Sequence, residues 1–332
     1  MSAITEARRS TALRRAAVRA TLAPSVHNTQ PWRLVLFPNA LEVRADWMRQ
    51  LRVLDGRGRQ LLISCGCALF NGRVALAAAG LPVALTLPRV AAPLDVVGRL
   101  DLAAVTNAPN LDPAIGHLDA VVEVRQTNRR QFLDDDVPAD LIELLTAAAG
   151  AEGASLTPVV READRATLAR LSQSADKAEN ADPAYRAELR MWTTTDAQRL
   201  DGVPAYAVPH VDGFAGDDIP IRDFDTHGEG SLPSYTRSSV DQCLLLLGTS
   251  EDEPLSWIRA GQALERVLLE IALHGYTASL FTQVIEVPAT RGRLRQELRL
   301  SMHPHVVLRV GRAPATPATR RRRLVDVLEE AR

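Results

Sequence analysis

Lysine is almost absent from this chain of 332 residues, because Lys177 is the single lysine among 39 basic residues. Arginine clusters are therefore expected from composition alone, and two neighbouring arginines do not by themselves indicate an anion site. The 40 acidic residues leave a formal net charge of -1. This balance gives no electrostatic reason to expect a nucleic acid or an anionic membrane as a partner.

Cysteine is also scarce, with Cys65, Cys67 and Cys243 as the three examples. An odd number that includes a pair two positions apart is not the even framework of a secreted disulfide-rich domain. The sequence has no apolar core of signal-peptide length near its start and no run of about 18 apolar residues. We therefore expect a cytoplasmic protein without an export signal or a membrane span.

No Ser-His-Asp or Cys-His arrangement stands out among the seven scattered histidines. His303 and His305 share one face of a predicted strand, but no carboxylate or cysteine pattern accompanies them, so no metal site is predicted. No side chain is assigned a catalytic role.

The apolar content is 46%, enough to bury a sizeable core in one large domain or two ordinary ones. Helical and strand patterns alternate along the chain, which predicts a mixed α and β fold. The predicted helices cover 5–22, 60–79, 113–124, 138–149, 165–178 and 183–192. The predicted strands cover 32–37, 40–45, 83–87, 98–105, 156–160 and 241–247.

Two stretches of the sequence resemble each other. Residues 66–69 and 261–264 each begin with glycine and lie in apolar helices, and each helix is closed by a further glycine, Gly80 or Gly275. The match continues without a gap to Leu85 and Leu280. Chance similarity between alanine-rich helices is the alternative, but we favour a duplication with halves at 1–112 and 113–332.

An insertion at about 183–240 fits neither half. Its part from 201 to 237 is rich in Gly, Pro and Asp, and so long an irregular segment is uncommon unless it is a lid, a binding loop or disordered. Five aromatic residues favour an ordered cover, since disordered segments contain few of them. They are Trp192, Tyr206, Phe214, Phe224 and Tyr235.

The loop at 23–32, Ala-Pro-Ser-Val-His-Asn-Thr-Gln-Pro-Trp, lies between a predicted helix and a predicted strand. Its two prolines restrict the backbone, while Ser25, Asn28 and Gln30 supply a hydroxyl and two amides that both donate and accept hydrogen bonds. A flat heterocycle with carbonyls and ring nitrogens suits these groups.

A second candidate is Arg-Gln-Thr-Asn-Arg at 125–129, where two arginines flank a hydroxyl. Guanidinium groups bind phosphate oxygens through paired, charge-assisted hydrogen bonds. The alternative is a solvated arginine run in an arginine-rich protein. The arginine run at 320–323 also has two possible interpretations, a nucleic-acid patch or solvated charge.

The loop at 24–32 resembles the Pro-Ser-x-x-Asn-x-Gln-Pro-Trp signature of the nitroreductase superfamily of FMN enzymes. The segment 125–129 resembles the Arg-x-Ser-x-Arg phosphate motif of that superfamily, with Thr127 in place of serine. In ordinary members the arginine motif comes first, whereas here the order is reversed. Their dimer explains the reversal, because FMN lies between the arginine motif of one subunit and the Pro-Ser loop of the other. With Arg-Asp-Phe at 222–224 in a long insertion, the arrangement resembles the Acg branch.

The resemblance implies an α+β nitroreductase-like fold in which two fused halves form a pseudo-dimer with one FMN and a lid. Ser25, Asn28 and Gln30 would contact the ring or ribityl chain, and His27 is expected to be packed or solvated instead. The phosphate end would contact Arg125, Thr127 and Arg129. Further implied flavin contacts are Ser279, Gln283, Arg321 and Arg323.

The implied activity is a ping-pong cycle in which NADH or NADPH reduces the flavin and a nitroaromatic or quinone accepts the electrons. A lid over the ring would obstruct nicotinamide, so a flavin-sequestering or storage protein is the main alternative. A regulatory domain with a degenerate site is a third. A small-molecule acceptor is the expected partner, and the chain is expected to be a monomeric pseudo-dimer or a homodimer.

Overall fold

The computed structural model of this protein describes residues 3–88, 95–102, 113–196, 198–210, 218–234, 238–239 and 241–331. The α-helices within these residues are α1 (Ala3–Thr21), α2 (Arg59–Ala78), α3 (Ala139–Ala151), α4 (Glu162–Ala181), α5 (Pro183–Met191), α6 (Pro254–Leu273), α7 (Gln283–Glu286) and α8 (Pro288–Glu297). The β-strands are β1 (Trp32–Phe37), β2 (Ala40–Ala45), β3 (Val83–Thr86), β4 (Val96–Leu102), β5 (Ser155–Pro158), β6 (Thr193–Thr194), β7 (Val203–Pro204), β8 (Cys243–Thr249), β9 (Thr277–Phe281), β10 (His303–Gly311) and β11 (Leu328–Glu330).

The mixed α and β fold predicted from the sequence is confirmed, and most predicted elements agree with these bounds within a few residues. One prediction is wrong in type, because the expected helix at 113–124 is a 3-10 helix, Pro113–Val121. Gly116 lies so close to the end of α2 that an added Cβ would be 3.1 Å from the carbonyl carbon of Ala77. The strand predicted at 98–105 is β4, and residues 103–105 lie outside the described residues.

Two sheets form the framework. In the first, the strand order is β11-β1-β2-β4-β3, and in the second it is β5-β8-β10-β9. Strand β11 pairs with β1 in parallel, while the other neighbours in both sheets are antiparallel. Strands β6 and β7 form a small separate pair.

The two sheets repeat one pattern, because β1-β2-β4-β3 matches β5-β8-β10-β9 strand for strand. In each case one long helix precedes the third strand in the chain, α2 in the first sheet and α6 in the second. Leu85 lies opposite Leu100 in the first sheet, and Leu280 lies opposite Leu308 in the second. Whereas a two-residue turn joins β1 to β2, the chain leaves the second sheet after Pro158 and returns at Cys243.

Helices α2 and α6 cross at a pair of glycines. A Cβ added at Gly66 would lie 2.3 Å from the carbonyl oxygen of Ile258, and one added at Gly261 would lie 2.0 Å from that of Ile63. Each isoleucine stands three residues before the glycine of its own helix, so the contact is reciprocal. Self-complementary contacts of this kind are characteristic of two-fold symmetric interfaces.

Both helices also end in the same way. Gly80 and Gly275 have φ of 66° and 77°, in the left-handed region that glycine tolerates. The backbone N–H of Leu81 donates to Leu76 O at 3.2 Å, and that of Tyr276 donates to Ile271 O at 3.0 Å. These are matching Schellman-type ends, at the glycines that the sequence predicts.

Helix α2 lies at the centre of the fold. Its length and composition would allow it to cross a membrane, but 83% of its most apolar stretch is buried inside this structure. Cys65 and Cys67 are buried in it as free thiols, as expected for small apolar residues in a core helix. Polar side chains nevertheless follow one face of α2, at Gln60, Ser64 and Asn71.

Candidate functional site

A cavity of about 100 Å³ lies between α2, the loop at 24–27, the segment at 127–129, the strand β9 and the insertion. Five of the ten predicted cofactor-binding residues line it. These are Ser25, Thr127, Arg129, Ser279 and Gln283. The structure therefore brings together the two motifs that the sequence keeps far apart.

The loop after α1 has an unusual backbone. His27, Asn28 and Gln30 have φ of 46°, 53° and 48°, although none of them is glycine. Such conformations cost about 1–3 kcal/mol each and persist where the surrounding structure enforces them, often at functional sites. Here Ser25 Oγ accepts a hydrogen bond from the backbone N–H of Gln30 at 2.9 Å, which holds the turn closed.

The amides of Asn28 and Gln30 do not line the cavity. Asn28 Nδ2 donates to Gly202 O at 2.9 Å and to Arg320 O at 3.2 Å. Gln30 Nε2 donates to Leu200 O at 2.8 Å, and Gln30 Oε1 accepts from the backbone N–H of Arg322 at 2.7 Å. Both amides thus fasten the insertion and the segment at 320–322 to the loop.

His27, which is expected to be packed or solvated, is buried and forms part of the cavity wall. Its ring meets Phe224 of the insertion edge to face, with centroids 5.2 Å apart. Neither ring nitrogen has a hydrogen-bond partner among the described residues. Burial, then the charges of Arg222 and Arg129, lower the pKa of His27 well below its usual range, so the ring is neutral at physiological pH.

Arg129 faces the cavity without a counter-charge. No carboxylate lies within ion-pair distance of it in the described part of the chain, and its Nη1 donates only to Ala207 O, at 3.5 Å. The guanidinium carbon lies 4.9 Å from the ring centroid of Phe224. Burial and then the charge of Arg222 lower the pKa of Arg129 to about 10, which shows an unneutralised cation in a restricted space.

Thr127 reaches the cavity because its segment pairs with β9. The backbone N–H of Asn128 donates to Ala278 O at 2.9 Å, and Thr127 forms a parallel bridge with the same residue. On β9, the Ser279 hydroxyl donates to Asn128 O and accepts from Arg309 Nη2 at 2.9 Å. Ser279 therefore lines the cavity with its hydroxyl already engaged.

Gln283, at the start of α7, is engaged as well. Its Nε2 donates to Asp176 Oδ1 of α4 at 2.9 Å. The adjoining insertion is fastened to α7 by Arg222, which is buried and hydrogen-bonded to Glu286 and to the hydroxyl of Tyr185. Glu179 of α4 completes this cluster at 3.4 Å from Arg222.

The remaining predicted arginines separate into two groups. Arg125 and Arg321 lie together, since each donates from Nη2 to Leu22 O at 3.4 Å. Arg125 Nε is 3.4 Å from Oε1 of the buried Glu265. Arg323 is exposed and pairs with Asp326 at 3.0 Å, so the structure directs it away from the cavity.

Sequence reasoning missed part of the cavity wall. Gln60 and Ser64 line it, and Ser64 Oγ accepts from the backbone N–H of Val26 at 3.1 Å. The spacing of 60, 64, 67 and 71 gives one face of a helix, and a polar face on an otherwise apolar helix is the signal that would have identified them. Arg222 and Phe224 from the insertion also line the cavity, whereas Phe214 and Tyr235 lie outside the described residues.

No group of three potential metal ligands occurs within the described ranges. His305 is buried, with its Nε2 2.6 Å from Thr249 Oγ1. Burial and then the charges of Arg59 and Arg291 lower the pKa of His305 to about 3, so the ring stays neutral. It therefore has the character of a core histidine.

The chain matches no protein-family model. Among solved structures, the FMN-dependent nitroreductase NfnB of Mycobacterium smegmatis in complex with NADPH aligns with 66% of this chain and 100% of its own, at 15% identity and a TM-score of 0.39. An FMN-bound nitroreductase of Bacteroides fragilis aligns with 62% of this chain and 94% of its own, at 12% identity and a TM-score of 0.38.

Two curated relatives from Mycobacterium tuberculosis are much more similar in sequence. "Putative NAD(P)H nitroreductase Rv3131" is 34% identical over 93% of this chain and 89% of its own length. "Putative NAD(P)H nitroreductase acg" is 30% identical over 92% of this chain and 91% of its own. With this identity along nearly its whole length, and with the two motifs meeting at one cavity, the chain belongs to the nitroreductase superfamily and, within it, to the Acg family.

Proposed function

We propose that this protein is an FMN-dependent oxidoreductase of the nitroreductase type. NADH or NADPH supplies the electrons, and a nitroaromatic, quinone or similar small molecule accepts them in a ping-pong cycle. One observation carries the proposal: the loop at 24–27 and the pair Thr127 and Arg129 line the same cavity. The names of the curated relatives support the same class of reaction.

The groups around the cavity suit FMN in their chemistry. Arg129 lacks a carboxylate partner among the described residues, as a phosphate site requires, and the ring nitrogens of His27 are without hydrogen-bond partners there. The volume of this cavity is below the usual range, because ligand cavities usually measure about 300–1,000 Å³. A flavin therefore needs more room than this cavity of about 100 Å³ offers, and Phe224 of the insertion is the lining side chain that we expect to move.

We further propose that residues 1–112 and 113–332 are two nitroreductase-like halves that form a pseudo-dimer around one FMN. The matching strand orders and the reciprocal contact of Gly66 and Gly261 support this division. Such a chain needs no second copy to complete its site, although it can still form a homodimer. Three free cysteines are in keeping with the cytoplasmic location that we propose.

When bound, FMN supplies the redox chemistry by accepting a hydride and passing electrons on. The protein's part is to bind and orient. Arg129 and Thr127 would hold the phosphate, and Arg125 and Arg321 would add positive charge nearby. Ser25 shapes the loop that would border the ring end, and Phe224 would exclude water from the side of the insertion. No residue is required to act as a nucleophile.

A flavin-sequestering protein is the second candidate, and the position of Phe224 favours it. Phe224 packs on His27 and against the guanidinium of Arg129, so the insertion lies over the cavity that a nicotinamide would have to enter. In this case the protein would bind FMN tightly and reduce it slowly or not at all.

An anaerobic titration distinguishes the candidates. The purified protein is mixed with FMN, freed of excess flavin and titrated with NADPH and separately with NADH, while the flavin absorbance bands are recorded. Bleaching followed by reoxidation with a quinone supports the oxidoreductase. A bound flavin that stays oxidised supports sequestration. A protein that binds no FMN is neither of the two.

Replacing Phe224 with Ala tests the cover. We expect at least about tenfold faster reduction of the bound flavin by NADPH, because removal of the Phe224 ring opens the cavity beside His27, in the loop proposed to border the flavin ring, and leaves the Arg222 cluster intact. Stopped-flow absorbance measures the rate. Tyr206→Ala is the matched control, since Tyr206 belongs to the same insertion, donates to Ala318 O and does not line the cavity. Equal rates of flavin reduction in Phe224→Ala and Tyr206→Ala would mean that Phe224 is not the residue that covers the flavin.

A further inference from the structure

Glu265 of α6 is a carboxylate in the core. Its side chain has no exposed surface, and its Oε1 is 3.4 Å from Nε of Arg125, which is itself 4% exposed. Neither of its oxygens has a hydrogen-bond partner of normal geometry in the described part of the chain. A carboxylate in such surroundings is costly to ionise, so its presence calls for an explanation.

The groups that face Glu265 come from three directions. Arg125 approaches from the segment after the 3-10 helix, Arg321 from the segment before β11, and Asn71 and the Cys67 thiol from α2. Burial raises the pKa of Glu265 to about 7, although Arg125, Asn71 and Arg321 all oppose the rise. Two cations and one carboxylate therefore share this space, which leaves an excess of positive charge.

This cluster adjoins the cavity. Leu264 and Cys67, which flank Glu265 on α6 and α2, line the cavity directly, and Arg125 shares its segment with Arg129. An anionic group that enters the cavity beside Cys67 and Leu264 brings its charge close to the carboxylate of Glu265. Two anions cannot both stay ionised in one buried site without a large energetic cost.

We propose that Glu265 couples phosphate binding to proton uptake. Its carboxylate offsets part of the charge of Arg125 and Arg321 in the flavin-free protein, and it takes up one proton from solvent when the phosphate monoester dianion of FMN binds at Arg129 in the adjoining cavity. The coupling rests on the proposed function, because it takes FMN as the ligand. Its consequence is that the affinity for FMN falls as the pH rises.

Calorimetry measures the proton directly. Flavin-free protein is titrated with FMN at about pH 8, where the second phosphate pKa of about 6 no longer contributes, in two buffers of different ionisation enthalpy. We expect about one proton taken up per FMN by the unaltered protein and none by Glu265→Gln. Between about pH 7.5 and 9 the Kd should rise by up to about tenfold per pH unit, and in Glu265→Gln it should stay flat.

Two controls isolate the coupling. Glu270→Gln makes the same change on the same helix at a buried acid that faces His117, 4.0 Å away, and should retain the proton uptake. Riboflavin lacks the phosphate, so its binding should take up no proton.

Proton uptake that persists in Glu265→Gln would assign the titration to another group, such as Arg321, whose pKa burial lowers to about 9, and would overturn the proposal. FMN binding without any proton uptake would overturn the coupling alone. If neither FMN nor inorganic phosphate binds, the coupling and the proposed function are both wrong.

Discussion

Replacing Gly66 with Ala should destabilise the protein by about 3 kcal/mol, at the upper end of the range for overpacked cores. The added Cβ would lie 2.3 Å from the carbonyl oxygen of Ile258 and 3.0 Å from the Cα of Gly261. Both are backbone atoms of a buried helix, so no side chain can rotate away, and α2 and α6 would have to separate. Thermal and urea unfolding measure the loss.

The chain contains a matched control for this prediction. Gly150 lies within α3, and an added Cβ there meets nothing within 4 Å, so Gly150→Ala should be neutral or stabilising by up to about 1 kcal/mol. Gly261→Ala should resemble Gly66→Ala, because its Cβ would lie 2.0 Å from Ile63 O. The double variant should lose less stability than the sum of the losses in Gly66→Ala and Gly261→Ala, since both changes separate the same two helices. Unaltered stability in Gly66→Ala would contradict the close crossing of α2 and α6 at Gly66 and Gly261.

Replacing Arg129 with Ala should weaken FMN binding by about 10- to 150-fold. A charge-assisted hydrogen bond to phosphate contributes about 1.5–3 kcal/mol, and Arg129 is the cavity arginine that has no carboxylate partner among the described residues. Quenching of flavin fluorescence on titration into flavin-free protein gives the Kd. The FMN affinity of Arg129→Lys should lie between those of Arg129→Ala and the unaltered protein, because lysine keeps the charge but not the paired donors.

Riboflavin separates phosphate binding from a general effect on the cavity. Its affinity should be nearly the same in Arg129→Ala and in the unaltered protein, because it has no phosphate to lose a partner. Arg323→Ala is the matched arginine control: Arg323 is exposed, is paired with Asp326 and should leave the FMN affinity unchanged. Full FMN affinity in Arg129→Ala would exclude the arginine motif from the site.

Local patterns were enough to predict most of the fold. The turn at Pro38 and Asn39 separated the strands β1 and β2, and Gly80 and Gly275 marked the ends of α2 and α6 because only a residue that tolerates positive φ fits there. The resemblance to the nitroreductase signatures then predicted that Ser25, Thr127 and Arg129 share one site, and all three line one cavity. Nothing in these short motifs specifies the partners of each side chain.

Because short motifs do not specify side-chain partners, the orientation of the Asn28 and Gln30 amides could not be predicted from the sequence. Asn28 and Gln30 bind backbone groups at 200–202 and 320–322, and these contacts depend on where the insertion and the last segment pack, which no local pattern encodes. The arginines at 321 and 323 illustrate the same limit. They are two residues apart, yet Arg321 donates to Leu22 O in the core cluster, whereas Arg323 is exposed and pairs with Asp326.

The parallel pairing of β11 with β1 has a consequence for biosynthesis. The ribosome makes the loop at 23–32 well before Arg320 and Arg322, which its amides bind, and before Leu328, which pairs with Leu34. Until these residues emerge, the first sheet lacks β11 and the loop lacks half of its anchors. We therefore expect flavin loading to follow translation of the segment at 320–330, and a nascent chain stalled before residue 320 should not retain FMN.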